Sequence, residues 1–188
     1  TQSRSAAASD VDKGPPYDPL ESVPYTEDDI TAAVQEAHAW GKYVCAHSYT
    51  AQSTERAVRC GVRCIEHGNL IDSETATLMA EQGAYIDPTL VCYEESALRG
   101  AELGLTAVIL EKLKRVNEAG ISMLGICHDA GVKIGLGTDL MGELIDAQSR
   151  EFSIRAQVLR NGDILRSATS VNAEILQKMG ELGVVVPG

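Results

Sequence analysis

The sequence predicts an α/β fold with a parallel sheet and, within that class, roughly half of a (β/α)8 TIM barrel. Patterns typical of a strand and of a helix alternate four times along the 188 residues, which is the order of a parallel sheet with connecting helices. Three of the apolar runs end in His47, His67 and Asp139, at the place where barrel enzymes carry their chemistry. No glycine-rich phosphate loop follows the first strand, although a nucleotide-binding open sheet would need one.

The first 24 residues are predicted to form a loop segment. They are rich in Ser, Ala, Asp and Pro, and Gly14-Pro15-Pro16 excludes regular structure there. A helix is predicted to begin after Thr26, because Asp29 three residues later completes a variant of the capping box. Gly41 is predicted to end this helix.

Three short apolar runs predict strands in the first half of the chain, and the segments between them predict helices. The strands are expected over residues 43–47, 62–67 and 84–87, and the helices over residues 53–60 and 74–81. Gly61 and Gly83 are expected to end the two helices. Pro88 ends the third strand, since proline has no backbone N–H to donate.

The second half of the chain continues the alternation with longer helices. After a variable stretch through Gly104, a helix is expected over residues 106–130, interrupted or kinked near Gly120 or Gly125. The remaining elements are a strand over residues 133–139 and helices over residues 147–159, 163–169 and 171–179. Residues 183–188 resemble the start of a truncated β segment, which leaves residues 25–182 as the barrel portion.

Four strand–helix units make up half of an eight-fold barrel, which takes ~250 residues when complete. The chain is therefore expected to be a C-terminal portion of a larger protein. The first and last strands of a half-barrel have unpaired edges, which upstream chain or another copy of the protein would have to cover. The alternative is a complete small open sheet with helices on both faces.

Composition and charge restrict the classes of function. Apolar residues make up 44% and charged residues 23% of the chain, which is typical of a globular protein. The net charge of -11 argues against nucleic acid or an anionic membrane as a partner. No apolar stretch reaches the ~18 residues of a membrane span, and no signal peptide pattern is present. The five cysteines favour buried thiols in a reducing compartment, so a cytoplasmic location is expected.

Two histidines occupy equivalent positions in successive strand–helix units. His47 and His67 each end a predicted strand, and neighbouring strand ends lie ~5 Å apart, so both imidazoles are predicted to ligate one divalent metal. Their other ring nitrogens would need hydrogen-bonding partners that fix the rings. Glu66 precedes His67 and is expected on the opposite face of the strand, in a structural role.

Asp139 is the third predicted metal ligand and the candidate catalytic base. It follows Gly-Leu-Gly-Thr, and a carboxylate there can bind a divalent cation and accept a proton from activated water. The alternative is a structural role, in which Asp139 caps the following turn. Tyr49 and Tyr93 follow two of the strands and are candidates for substrate binding, with loop packing as the alternative. Arg150 and Arg155 are expected to pair with Glu151 on a helix surface.

Five segments together resemble the amidohydrolase superfamily, and most closely its prolidase and imidazolonepropionase-like branch, which includes ochratoxinase. They cover most of the chain from residue 25 onward, and their combination is specific although each alone is weak. The segments are residues 44–50 (VCAHSYT), 61–69 (GVRCIEHGN), 88–90 (PTL), 135–139 (GLGTD) and 168–174 (ATSVNAE).

The resemblance implies a (β/α)8 barrel of which this chain holds strands 5 to 8, with one or two divalent ions, usually zinc. His47 matches the fifth-strand ligand, His67 the sixth-strand ligand, and Asp139 the eighth-strand carboxylate that also serves as general base. The implied reaction is cleavage of a C–N amide or peptide bond, in a dipeptide, an N-acyl amino acid or a cyclic amide, by metal-activated hydroxide. Family members are commonly oligomeric, so a homo-oligomer is expected.

Two parts of the family pattern have no counterpart in this sequence. The first-strand His-x-His does not occur, and the bridging fourth-strand lysine is unmatched, since Lys13 falls in the predicted loop segment. The chain alone is therefore expected to be inactive. Two alternatives are a non-catalytic binding or assembly module that retains the half-barrel, and a phosphate-binding barrel enzyme. Against the latter, the segment after Asp139 carries Glu143 where an anion would have to bind.

Overall fold

A computed structural model describes residues 20–187, in which four strands alternate with helices. The strands are β1 Cys45–Thr50, β2 Cys64–Leu70, β3 Tyr85–Asp87 and β4 Lys133–Ile134. The α-helices are α1 Glu27–Ala39, α2 Ala51–Arg59, α3 Ser73–Gln82, α4 Leu90–Arg99, α5 Ala107–Ala130, α6 Arg150–Arg155, α7 Asn161–Arg166 and α8 Asn172–Ile175. A 3-10 helix spans Gly142–Ala147, and a π-helical turn spans Ser167–Val171. Within residues 20–187, no helix is both long and apolar enough to cross a bilayer.

The strands form one parallel sheet in the order β1-β2-β3-β4. Each strand therefore lies beside the strand that precedes it in the chain, as consecutive strands of a barrel do. A doubly wound open sheet would instead reverse its strand order at a switch point. The predicted α/β class with a parallel sheet is confirmed. Among the described strands, β1 pairs only with β2 and β4 only with β3.

The predicted helix signals are found at the start of α1 and the end of α3, and the start of α2 has a capping box that was not predicted. Thr26 and Asp29 form the capping box of α1, and Thr50 forms a second one with Ser53 at the start of α2. Gly83 ends α3 in the left-handed conformation, with φ 66°, which glycine adopts without the steric cost of a Cβ atom. These local contacts fix where each helix begins and ends relative to its strand.

Strand lengths differ from the sequence prediction. β1 begins at Cys45 and continues through Thr50, and β2 continues to Leu70, because the parallel pairing extends past the histidines. His47 and His67 therefore lie within strands and not at their ends. β4 contains only two residues, because the backbone after Ile134 bonds mainly to side chains instead of a neighbouring strand.

The helices also differ from prediction in three places. α4 occupies part of the stretch that showed no clear pattern, and the helix predicted over residues 147–159 is a 3-10 turn followed by the short α6. α5 runs without interruption through Gly120. A Cβ at Gly120 would lie 2.7 Å from Cδ2 of Leu90, so this glycine permits close packing of α5 against the start of α4.

Residues 183–187 have no strand assignment, and the truncated β segment stays a prediction. Most of the loop predicted over residues 1–24 lies outside the described residues.

The core lies between the sheet and its helices. Ile65 of β2 and Ile86 of β3 have no exposed surface, and they belong to one apolar cluster with Met123 and Leu124 of α5. Burying each of these side chains contributes about 1.5–3 kcal/mol. Residues that alternate with the isoleucines face the other side of the sheet, which carries the polar groups described next.

Candidate metal centre

The two predicted histidine ligands meet in the structure. Nδ1 of His47 and Nε2 of His67 are 2.6 Å apart, and the ring centroids are 4.8 Å apart. His67 is 2% exposed and His47 is partly buried. One of the two nitrogens donates its N–H and the other accepts it, so both point into the same small volume.

An irregularity in the backbone and register of β1 and β2 brings the two imidazole rings together. The register pairs His47 with Glu66 and Ser48 with His67, and paired residues of a parallel sheet face the same side. Regular alternation would therefore turn His67 away from His47. The backbone of His67 instead has φ 80°, and the register shifts between Ser48 and Thr50, an irregularity that re-aims a side chain.

The irregular backbone at this point is supported by Gly68. Its φ is 63°, and a Cβ there would lie 2.6 Å from Cδ1 of Ile86, so only glycine fits without rearrangement. A left-handed conformation at a residue such as His67 costs on the order of 1–3 kcal/mol, and such strain is concentrated at functional sites.

Thr89 fixes the orientation of the buried histidine. Its Oγ1 is 2.8 Å from Nδ1 of His67, and Thr89 is 3% exposed. Thr89 also has a left-handed backbone, with φ 47°, at the junction between β3 and α4. Partners of this kind fix the tautomer and ring position of a ligating histidine. No sequence pattern indicated a role for Thr89 beyond its place in the PTL segment.

Both predicted substrate-binding tyrosines surround His67. The ring of Tyr49 stacks on His67 at 5.1 Å with an interplanar angle of 8°, and Tyr93 packs edge-on at 5.6 Å. The two phenolic oxygens are 3.1 Å apart. Burial raises the pKa of Tyr93 well above its ordinary value, so this phenol is neutral and can donate a hydrogen bond. A role of Tyr49 and Tyr93 in substrate binding stays a prediction.

Glu66 differs from its predicted place on the opposite face. It pairs in register with His47 and with Asp87, so the three side chains belong to one face of the sheet. Burial, followed by the charge of Asp87, raises the pKa of Glu66 to about 7. Burial also raises the pKa of Asp87, against the lowering effect of the Arg155 guanidinium. This face thus concentrates carboxyl groups whose ionisation is disfavoured.

Asp139 lies at the end of the segment that follows β4. It is exposed and has φ 49°, and its charge contributes to the raised pKa values of Glu66 and Asp87. Asp139 is therefore near these carboxyls. Within residues 20–187, no set of three potential ligand atoms that includes both imidazoles and Asp139 lies within 4.8 Å of one another. Ligation by all three residues stays a prediction.

The segment that carries Asp139 is held by two side chains from other elements. The backbone N–H of Gly137 donates to Oδ1 of Asp87 at 2.7 Å. Leu136 donates its N–H to Oδ1 of Asn172 at 2.9 Å, and its carbonyl accepts from Nδ2 of the same residue at 2.8 Å. Hydrogen bonds to side chains thus take the place of the backbone hydrogen bonds that a longer β4 would make to a neighbouring strand.

Replacing Gly137 by alanine is expected to destabilise the protein by about 1–3 kcal/mol. The added Cβ would overlap the carboxylate of Asp87 and displace the hydrogen bond that holds this segment. Urea unfolding measures the change. Gly162→Ala is the matched control, because its Cβ would meet only Nη1 of Arg166 at 3.9 Å. Equal unfolding midpoints for the two variants would contradict the prediction.

Arg155 and Glu151 form a buried ion pair, which corrects the expected surface pairing. Neither side chain has exposed surface, and Nε of Arg155 is 2.6 Å from Oε1 of Glu151. Arg155 also donates to the carbonyl of Gly135 at 2.5 Å, and Glu151 accepts the N–H of Val91 at 2.7 Å. The pair joins α6 to the start of α4 and to the end of β4. Arg150, whose side chain is partly exposed, instead pairs with the partly exposed Glu94 and with the buried Glu95.

Solved structures resemble this chain over most of its described length. A prolidase complexed with N-methylphosphonate-L-proline has 51% sequence identity and a TM-score of 0.88, over 91% of this chain and 42% of that one. A Xaa-Pro dipeptidase with bound methionine in its active site has 27% identity and a TM-score of 0.78, over 87% of this chain and 41% of that one.

Among curated proteins, the ochratoxinase of Aspergillus niger is 24% identical over 146 residues, which are 78% of this chain and 30% of the ochratoxinase. An uncharacterized protein of Mycobacterium tuberculosis is 29% identical over 115 residues, which are 61% of this chain and 31% of that protein. The chain thus spans about a third of these curated relatives and about two-fifths of the solved structures.

The family resemblance drawn from the five sequence segments is confirmed by these relatives. In addition, the sequence profile described as "Amidohydrolase family" matches residues 8–188. Because this match covers nearly the whole chain, the protein belongs to the Amidohydrolase family.

Proposed function

We propose that this chain provides part of the metal centre of a hydrolase that cleaves C–N amide or peptide bonds. The observation that carries the proposal is the convergence of His47 and His67, 2.6 Å apart, with Thr89 fixing the buried ring. Imidazole is the ligand most used for divalent zinc-type ions in catalytic sites, where one coordination position stays open.

The residues around the histidines fit a divalent cation. Burial and the charge of neighbouring carboxylates, Asp139 among them, raise the pKa values of Glu66 and Asp87, so the ionised forms of these two carboxyls lack sufficient positive charge around them. A bound divalent ion would supply that charge and favour the ionised carboxylates. Zinc suits a mixed set of imidazole and carboxylate ligands, and the proposal includes one or two such ions.

When bound, the metal would lower the pKa of water from 15.7 towards ~7 and polarise the substrate carbonyl. Asp139 would take the proton from that water and give it to the leaving amine. Its exposure leaves it accessible to both. Tyr49 and Tyr93 would hydrogen-bond the substrate carbonyl or carboxylate, and Thr89 would keep the His67 ring in place.

The substrates would be dipeptides, N-acyl amino acids or cyclic amides. Dipeptides with C-terminal proline are the first class to test, because a similar prolidase was solved with N-methylphosphonate-L-proline and another relative is a Xaa-Pro dipeptidase. The cytoplasmic location and the homo-oligomeric state expected from the sequence are part of the same proposal.

We further propose that activity requires more of the barrel than these 188 residues. The sequence contains no His-x-His triplet, and β1 and β4 each pair on one side only among the described strands. The remaining strands and ligands would come from additional chain of a longer protein.

The test compares this chain with a longer protein that adds four upstream strands and a His-x-His. Both are assayed for amine release from an X-Pro dipeptide, an N-acyl amino acid and a cyclic amide, with and without zinc. Only the longer protein is expected to turn over substrate, and chelation is expected to stop it. Turnover by the 188 residues alone would contradict the requirement for a complete barrel. A longer protein that holds stoichiometric metal without hydrolysing any of the three amides would favour the non-catalytic module.

A further inference from the structure

A second group of metal-ligating side chains lies on the same sheet face, below the histidine pair. Cys45 of β1 and Cys64 of β2 are direct register partners, and Glu66 follows two residues after Cys64. The two sulfur atoms and a carboxylate oxygen of Glu66 all lie within 4.8 Å of one another. Among the residues that the structure describes, no other group of three histidine, cysteine or acidic side chains has its ligand atoms this close together.

The group is buried at its base. Cys64 is 1% exposed, and Cys45 and Glu66 are partly buried. Within residues 20–187, no lysine or arginine forms an ion pair with Glu66 at 4 Å or less. The sulfur atoms of Cys45 and Cys64 instead lie within 4.8 Å of its carboxylate. A buried carboxylate without a basic partner is costly, and a bound cation would offset that cost.

We infer that Cys45, Cys64 and Glu66 form a binding site for a thiophilic divalent cation of the zinc class. Two thiolates select borderline and soft metals over magnesium or calcium, and a carboxylate oxygen is a common additional ligand for zinc. On binding, each thiol would lose its proton to solvent, so that two sulfur–metal bonds replace two S–H bonds. Three protein ligands leave one position of a tetrahedral ion open.

The two cysteines of this site lie apart from the histidine pair of the proposed function, whereas Glu66 is next to His67 in β2 and in register with His47. Along each strand, Cys45 lies two residues before His47, and Cys64 lies three before His67, so the cysteines are about 6–10 Å further down the strands. The ligand chemistry also differs, since the upper site has no sulfur. The inference extends the proposed function without requiring hydrolytic activity.

Cobalt(II) distinguishes the two sites, because only thiolate ligands give an intense sulfur-to-cobalt charge-transfer band in the near ultraviolet. The metal-free, reduced full chain is titrated with cobalt(II). We expect this band to saturate at one equivalent per chain and to be lost in the double variant Cys45→Ser, Cys64→Ser. The sulfur-to-cobalt band should survive in the double variant His47→Ala, His67→Ala. The cobalt absorption that this second variant loses reports separately on the histidine site of the proposed function.

Cys60→Ser is the matched control, since Cys60 lies at the end of α2, where its sulfur faces the carbonyl of Glu27 at 3.8 Å. It should leave the band unchanged. Glu66→Gln keeps the size of the side chain and should weaken cobalt binding at least about tenfold. Absence of a thiolate band, or a band that persists without Cys45 and Cys64, would overturn the inference. Loss of the band in the Cys60 variant would also overturn it, because it would show non-specific thiol binding.

Discussion

Replacing His67 by asparagine is expected to reduce divalent-metal affinity by more than about 100-fold. Changing only the partner of a metal ligand costs about 10- to 100-fold, and this change removes the ligand itself. Asparagine is the informative substitution because it tolerates a positive φ better than most residues, and His67 has φ 80°. The variant should therefore keep the backbone path while it loses the imidazole that faces His47.

The measurement is zinc binding by isothermal titration, made in a Cys45→Ser, Cys64→Ser background so that the thiolate site does not contribute, together with amide hydrolysis by the longer protein. Thr89→Val should give an intermediate loss of about 10- to 100-fold, because it removes the hydroxyl 2.8 Å from Nδ1 of His67 and keeps the side-chain size. His128→Asn is the matched control, since His128 is on the surface with its side chain 47% exposed. Unchanged zinc affinity in the His67 variant would contradict the assignment of the site.

The convergence of the two histidines could be predicted from the sequence, but the way it is achieved could not. Two apolar runs that each end in histidine indicate neighbouring strands, and parallel strands bring equivalent positions together. The sequence prediction placed both residues at strand ends, whereas both strands continue past them. What turns His67 towards His47 is its positive φ. No residue pattern identifies a left-handed conformation at a histidine in advance.

The polar side chains that support the site were harder to predict, because their roles depend on contacts between distant segments. The sequence predicts Asp87 only as the last residue of a strand. Its hydrogen bond to the N–H of Gly137 joins positions 50 residues apart. Simple alternation counted from His67 predicts the wrong face for Glu66, because the positive φ of His67 breaks that alternation. Periodicity reports the local backbone, and these contacts are not local.

The same reasoning explains the short β4 and the buried Arg155. A run such as Lys133 to Asp139 is apolar enough for a strand, but β4 ends at Ile134 because Asp87 and Asn172 bond to the following backbone. Arginine and glutamate four residues apart usually indicate an exposed helical pair. Nothing local to α6 distinguishes its pair from the surface pair Glu55 and Arg59, which has the same spacing.

Arg155→Ala is expected to destabilise the protein by about 3–5 kcal/mol, because removing one partner leaves the charge of Glu151 buried without compensation. Neither side chain of this pair has exposed surface, and the sequence spacing is i,i+4. The change also removes the donor to the carbonyl of Gly135, 2.5 Å away, at the point where β4 leads into the Asp139 segment. Urea unfolding with a common m-value measures the loss.

Two further variants show how much of the stability lost in Arg155→Ala comes from the burial of the charged pair. Arg59→Ala removes the equivalent member of an exposed i,i+4 pair, with side chains 61% and 49% exposed and 2.9 Å apart, and should cost at most about 1 kcal/mol. The double variant Glu151→Leu, Arg155→Met removes both charges and should recover most of the stability lost in Arg155→Ala, since apolar replacement of a buried pair is often neutral or stabilising. If Arg155→Ala and Arg59→Ala lower the free energy of unfolding by the same amount, the buried pair does not stabilise the packing of α6 against the sheet. If the double variant is as unstable as Arg155→Ala, the loss comes from the hydrogen bonds that the two side chains make to the backbone of Gly135 and Val91 and not from the buried charge of Glu151.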